Sequence, residues 1–170
     1  MTEMNDTNEA PSGRLALYRP KLEELRFREK LLGDEATMSY NAAWGGVIAF
    51  PESRWAEWYE SWIVPDESKR FYRYLTDRLT GEFVGEIAYH FDEERAVTTA
   101  NVIVLAEYRG RGYGTEALGL LCGAAREHGV RVLYDDIAID NPAITMFLKA
   151  GFTEEYRTDM IIMLKKELGD

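Results

Sequence analysis

The sequence predicts a mixed α/β (α+β) domain: one layered, mostly antiparallel sheet of about six to seven strands, flanked by about four helices. Three observations lead there. Apolar residues in the first third recur at helical spacing, the middle switches to the two-residue period of strands, and the last half alternates strand–helix–strand–helix–strand.

Residues 1–13, MTEMNDTNEAPSG, are polar and end in Pro and Gly, so they are expected to form a disordered tail ahead of a single domain at 14–170. RLALYR (14–19) alternates like a short strand. Pro20 then opens a helix over KLEELRFREKLLGD that Gly33 closes. MSYNAAWGG has no clean period and is expected to be loop. A second helix, about 52–63, follows Pro51 and places Trp55, Trp58, Tyr59 and Trp62 on one face. FYRYLTD and EFVGEIAYHF flank the turn RLTGE as a hairpin, and TTANVIVL (98–105) adds a third strand. A glycine-rich turn leads into a helix ending near His128. RVLYDDIAI (131–139) is a strand, NPAITMFLKAG a short helix, and FTEEYR with DMIIMLKKEL a closing strand pair.

Composition narrows the function. The chain has 170 residues with 46% hydrophobic and 29% charged, as a folded, water-soluble domain has. No apolar run is long enough to span a membrane and no basic-then-apolar leader opens the sequence, so a cytoplasmic location is expected. Thirty acidic against 20 basic residues give a net charge of −10, which disfavours nucleic acid or an anionic membrane as partner and suits a cationic ligand. The lone Cys122 has no disulfide partner and no Cys/His cluster around it. It is expected to pack on a helix, and no metal site is expected.

The most informative stretch is YRGRGYGTEALGLL (108–121). Gly110, Gly112 and Gly114 strip side chains from a turn between strand and helix. Their N–H groups and the positive end of the helix dipole make a nest for an anion, to which Arg109 and Arg111 add charge. Neither familiar phosphate loop fits. The dinucleotide fingerprint would need glycine where Thr115 stands, and the P-loop would need a lysine after Gly114.

The pattern Arg109-x-x-Gly112-x-Gly114, after the strand VIVL and before an amphipathic helix, resembles the pyrophosphate-binding motif of the GNAT superfamily of acyl-CoA-dependent N-acyltransferases. DNPAITMFLKAGF (140–152) is similar to that family's second signature, and the order of elements over 15–168 matches the family. The resemblance implies acetyl-CoA as co-substrate. It implies backbone contacts to the pyrophosphate from Arg109, Gly110, Arg111, Gly112, Tyr113, Gly114 and Thr115, and to the thioester from Ile103 or Val104, where an N–H would polarise the carbonyl. The chain departs from the family twice. The family's asparagine position falls on Asp140, with Asn141 one residue late, so either could take that contact. The position that often carries a thiolate-protonating tyrosine is Phe147, which has no proton to give; Tyr134 or water is then the acid.

A protonated amine, with a pKa near 10, must lose a proton before it attacks a thioester. Asp136 is the first candidate base, on a face with Tyr134 and Ala138. Glu86 is the second, alternating with Val84, Ala88 and His90. Strand alternation implies that at most one of Asp135 and Asp136 faces a cleft. Asp135 joins Trp44, Trp58 and Trp62 as candidates to contact the acceptor, since indole faces attract cations. The spacing of those tryptophans is also that of a buried helix face, and His90 reads as base or as packing. The expected activity is N-acetylation of a small, polycationic amine such as an aminoglycoside-type antibiotic or a polyamine. A protein acetyltransferase and a CoA-binding sensor are the alternatives, and the last strands leave room for a homodimer.

Overall fold

The computed structural model describes residues 13–169, so all but the last residue of the expected tail lies outside it. Seven strands form one sheet in the order β1-β2-β3-β4-β5-β7-β6. β1 (Leu15–Tyr18), β2 (Arg70–Asp77), β3 (Phe83–Asp92) and β4 (Val97–Val104) form an antiparallel meander, and β5 (Val132–Ala138) then joins β4 in parallel. β6 (Thr153–Arg157) and β7 (Ile161–Glu167) complete the sheet as an antiparallel pair.

The helices divide between the two faces. α4 (Tyr113–Glu127) lays Ala117, Leu118, Leu121 and Ala125 on one face, where they meet Leu75, Ile87 and Leu133, and α5 (Ala143–Lys149) adds Phe147 to the same core. Cys122 is buried there, and burial pushes its thiol up. The other face is covered by α1 (Arg26–Gly33), α2 (Glu35–Met38) and α3 (Trp55–Trp62), whose Leu25–Leu31–Trp55 core includes Ile103 of β4. Among the described residues no helix is long and apolar enough to cross a membrane.

Two local readings need correction. MSYNAAWGG is not plain loop: Met38 ends α2 and residues 39–44 continue as a 3-10 turn, stopped where Gly45 and Gly46 take positive φ. Asp34 starts this segment, accepting the Thr37 amide at 3.2 Å, a cap that no hydrophobic period announces. In β3, Val84 does not share a face with Glu86. The β2–β3 register slips between Leu75 and Thr76, which leaves Val84 as an extra residue and turns it into the core with Ile87 and Tyr89.

Candidate active site

β4 and β5 pair at only two positions, Thr98 with Leu133 and Thr99 with Tyr134. Beyond these the strands diverge, and the gap in the sheet opens into two adjoining cavities of about 660 and 450 Å³. Tyr40, Val102, Ile103, Ala138, Asn141 and Ala143 line both, so the two form one channel through the gap.

The larger cavity is built on the glycine turn. Gly110 and Gly112 have φ of +77° and +85°, conformations that side chains resist, and Gly112 is the residue from which α4 starts. The amides of Tyr113, Gly114 and Thr115 precede the first helical bond, Glu116 N–H to the Gly112 carbonyl at 3.3 Å, and are free to meet an anion. Gly110, Tyr113, Gly114 and Thr115 line the cavity, with Val104 and Arg109 beside them. Ile103 and Val104 bury their side chains on opposite faces of the sheet, so backbone is what β4 offers the gap.

The arginines act mainly as braces. Arg109 donates to the carbonyls of Ala36 and Thr37 at 3.2 and 2.6 Å, while Thr37 Oγ1 accepts the Ala106 amide at 2.9 Å, tying α2 to the turn. Arg111 lines neither cavity: its guanidinium lies over the Tyr108 ring and its carbonyl accepts a hydrogen bond from Arg14. From outside, the Leu15 amide donates to Glu116 at 3.1 Å and Tyr113 donates its hydroxyl to Asp77. This bracing by β1 and β2 comes from residues far apart in sequence and carries no local signal.

Trp44, Trp58 and Trp62, the tryptophans expected to contact an acceptor, line the smaller cavity. Trp58 and Trp62 stack at 5.9 Å, Tyr72 meets Trp58 edge-on and His90 meets Trp62. Trp55, on the same helix face, is buried in the core instead. Glu86 stands at the cavity floor, almost wholly buried. It accepts from Arg28 Nη1 at 3.0 and 2.8 Å, from Asn101 Nδ2 at 3.1 Å and from the Tyr72 hydroxyl, so its charge is matched and its lone pairs are occupied.

Both Asp135 and Asp136 line this cavity, against the expectation that at most one would. Alternation assigns side chains to the two faces of a continuous sheet, but here the cavity lies within the gap between strands, which residues of either face border. Asp136 is 3.8 Å from Arg95. Asp135 has a carboxyl raised well above the usual range by burial and by the charge of Asp136. His90 is pushed down by burial, with Arg70 and Arg95 adding to the effect.

Tyr134, the expected alternative acid, lines neither cavity: it is paired with Thr99 and Lys165 before the gap opens. Phe147 is buried against Phe152, with one edge on the smaller cavity. Asn141 uses its side chain to accept the Ala143 amide at 2.9 Å at the start of α5, while Asp140 borders the larger cavity. The sequence reading missed Tyr40. It sits where the cavities meet, and burial, with the charges of Glu86 and Asp135, raises its hydroxyl far above the usual range and keeps it protonated. Its segment, SYNAAW, has no periodicity to draw attention to it.

The sequence profile of the acetyltransferase (GNAT) family matches residues 29–152, a span that holds the divergent strands, the glycine turn and α5. The chain belongs to that family. An uncharacterised N-acetyltransferase of Methanocaldococcus jannaschii is 26% identical over 113 residues, which cover 62% of this chain and 49% of that protein; the chain thus matches about half the archaeal relative's length. Among solved structures, the fold is shared with a spermidine N-acetyltransferase from Vibrio cholerae in complex with CoA and spermine, at TM-score 0.75, 17% identity, and coverage of 91% and 96% of the two chains. An N-acetyltransferase from Staphylococcus aureus Mu50 aligns at TM-score 0.72 and 17% identity over 92% of this chain and all of the other. The GNAT resemblance and the predicted fold class are thereby borne out.

Proposed function

We propose that this GNAT protein transfers the acetyl group of acetyl-CoA to the primary amine of a small acceptor. The observation that carries the reading is the channel between β4 and β5, with an anion cradle at one end and an aromatic, carboxylate-bearing cavity at the other. The free amides of Tyr113, Gly114 and Thr115 suit the pyrophosphate, and the β4 backbone at Ile103 and Val104, paired with β3 on one side and open on the β5 side, suits the thioester. In the smaller cavity the amine nitrogen attacks the carbonyl carbon, the carbon–sulfur bond breaks, and CoA leaves as the thiol.

Asp135 takes the amine's proton in this scheme. Its raised pKa matches a base that must release its proton again, whereas Glu86 already accepts four hydrogen bonds from three residues. Asp136 holds the protonated amine before reaction. Tyr40, protonated and at the junction, replaces the missing tyrosine at Phe147 as donor to the thiolate. The exposed indole of Trp44 receives the cationic head, while Trp58 and Trp62, stacked on each other with Arg28 and Arg70 over their rings, wall the cavity.

The net charge of −10 supports a second, narrower reading in which the acceptor is polycationic, an aminoglycoside or a polyamine. Acetyl-CoA-dependent thiol release across aminoglycosides, polyamines, amino acids and peptides tests both. Saturable release with small amines is expected. Release with protein N-termini alone, or CoA binding without release, would overturn the small-amine reading.

A further inference from the structure

Past the Trp58–Trp62 pair the acceptor cavity continues into a recess of about 280 Å³, sharing Arg28, Leu32, Ile48, Trp58 and Trp62 with it. The charge of this recess is inverted relative to the chain. Arg28, Arg54 and Arg70 line it with Glu57 as the one acid, in a protein that carries 30 acidic and 20 basic residues. The guanidinium of Arg54 has no hydrogen bond or ion pair among the described residues. Arg70 lies 5.1 Å from the Trp62 ring and donates to the Ser61 carbonyl at 3.1 Å, with no ion pair among the described residues. Arg28 turns Nη1 to Glu86, while its buried Nε has no acceptor among the described residues. A buried donor without an acceptor is costly, and Arg54 and Arg70 bring two cations, with no ion pair among the described residues, to a recess that holds one acid, so the arrangement suits a bound anion.

Arg70 and His90 are cross-strand partners on β2 and β3, and the Trp62 ring meets the His90 ring at 5.7 Å and the Arg70 guanidinium at 5.1 Å. One indole therefore separates the arginine recess from the acceptor cavity.

We propose that the recess binds an anionic group of the acceptor itself, so that the substrate is a zwitterion: an amine delivered to Asp135 at one end and a carboxylate or phosphonate held by Arg54, Arg70 and Arg28 at the other. This rests on the transfer reading above and narrows its substrate class. It also distinguishes the protein from an acetyltransferase for polycations, whose further cation the charges of Arg54 and Arg70 would repel.

The test compares each amino acid or aminophosphonate in the acceptor panel with its neutral amide or ester. The zwitterion is expected to have kcat/KM about tenfold to a hundredfold higher, the range set by one charge-assisted hydrogen bond. In Arg54→Ala, an exposed position chosen to spare folding, that ratio should collapse toward one through KM, and Arg54→Lys should restore part of it. Equal use of both forms, a preference for the neutral one, or turnover confined to polyamines or aminoglycosides would overturn the proposal while leaving acetyl transfer intact. No thiol release from any amine would overturn both.

Discussion

Arg28 holds Glu86 through a single nitrogen, Nη1, which lies 2.8 and 3.0 Å from the two carboxylate oxygens. Arg28 also lies against the rings of Trp58 and Phe50, at 4.5 and 5.0 Å. The pair joins α1 to β3 beneath the acceptor cavity, with side-chain exposures of 16% and 2%. At that burial, removing one partner strands the other charge.

Arg28→Met is therefore expected to lower stability by about 3–5 kcal/mol. Glu86→Gln should cost a comparable amount, because Tyr72 and Asn101 donate to different carboxylate oxygens, of which the amide keeps one, and the Arg28 charge is left unpaired. The double variant should recover much of the Arg28→Met loss. Urea unfolding of the four proteins measures this; additive losses would show that the two groups do not act as a pair.

Gly112→Ala forces a side chain into φ near +85° and sets its Cβ 3.3 Å from Arg14 Nη2. The backbone term alone is about 1–2 kcal/mol. Because this residue starts α4 and borders the amide cradle, KM for acetyl-CoA should rise while KM for the acceptor stays near its original value. A change in the acceptor KM alone would place the cradle elsewhere.

Much of the architecture was legible locally: α4's apolar stripe and the aromatic and β-branched runs of β2 and β4 need no tertiary information. The glycine turn was legible for a related reason, since three closely spaced glycines before a helix have few structural uses. What stayed hidden depends on pieces meeting in space. The pairing of Asp135 and Asp136 on one cavity follows from a break in the sheet that the sequence of β5 does not mark. Arg109 looked like a phosphate ligand because only the fold brings the carbonyls of Ala36 and Thr37 to it. Glu86 looked free as a base because Arg28 is 58 residues away in sequence.

Tyr40→Phe removes the hydroxyl of the one tyrosine that, among the described residues, lines both cavities. If it protonates the departing thiolate, kcat should fall about tenfold, at the low end for proton transfer because a thiolate is already a fair leaving group. KM for acetyl-CoA should hold. An acyl donor with a more acidic thiol should shrink the deficit, which a purely structural role for Tyr40 would not do.

Asp135 should trade stability for activity. The native protein keeps its carboxyl protonated above the pH at which the unfolded chain ionises it, near 4. Over that interval the native state binds the extra proton, so stability falls as pH rises from about 4 through the raised pKa, and is flat beyond. Asp135→Asn never ionises. Its melting temperature should match the parent's near pH 4 and exceed it at pH 7.5. Its kcat/KM should drop by about a hundredfold or more, with loss of the acidic limb of the pH profile, since the proton acceptor is gone. Equal melting at both pH values would mean that Asp135 is solvated, and would pass the role of base to Asp136.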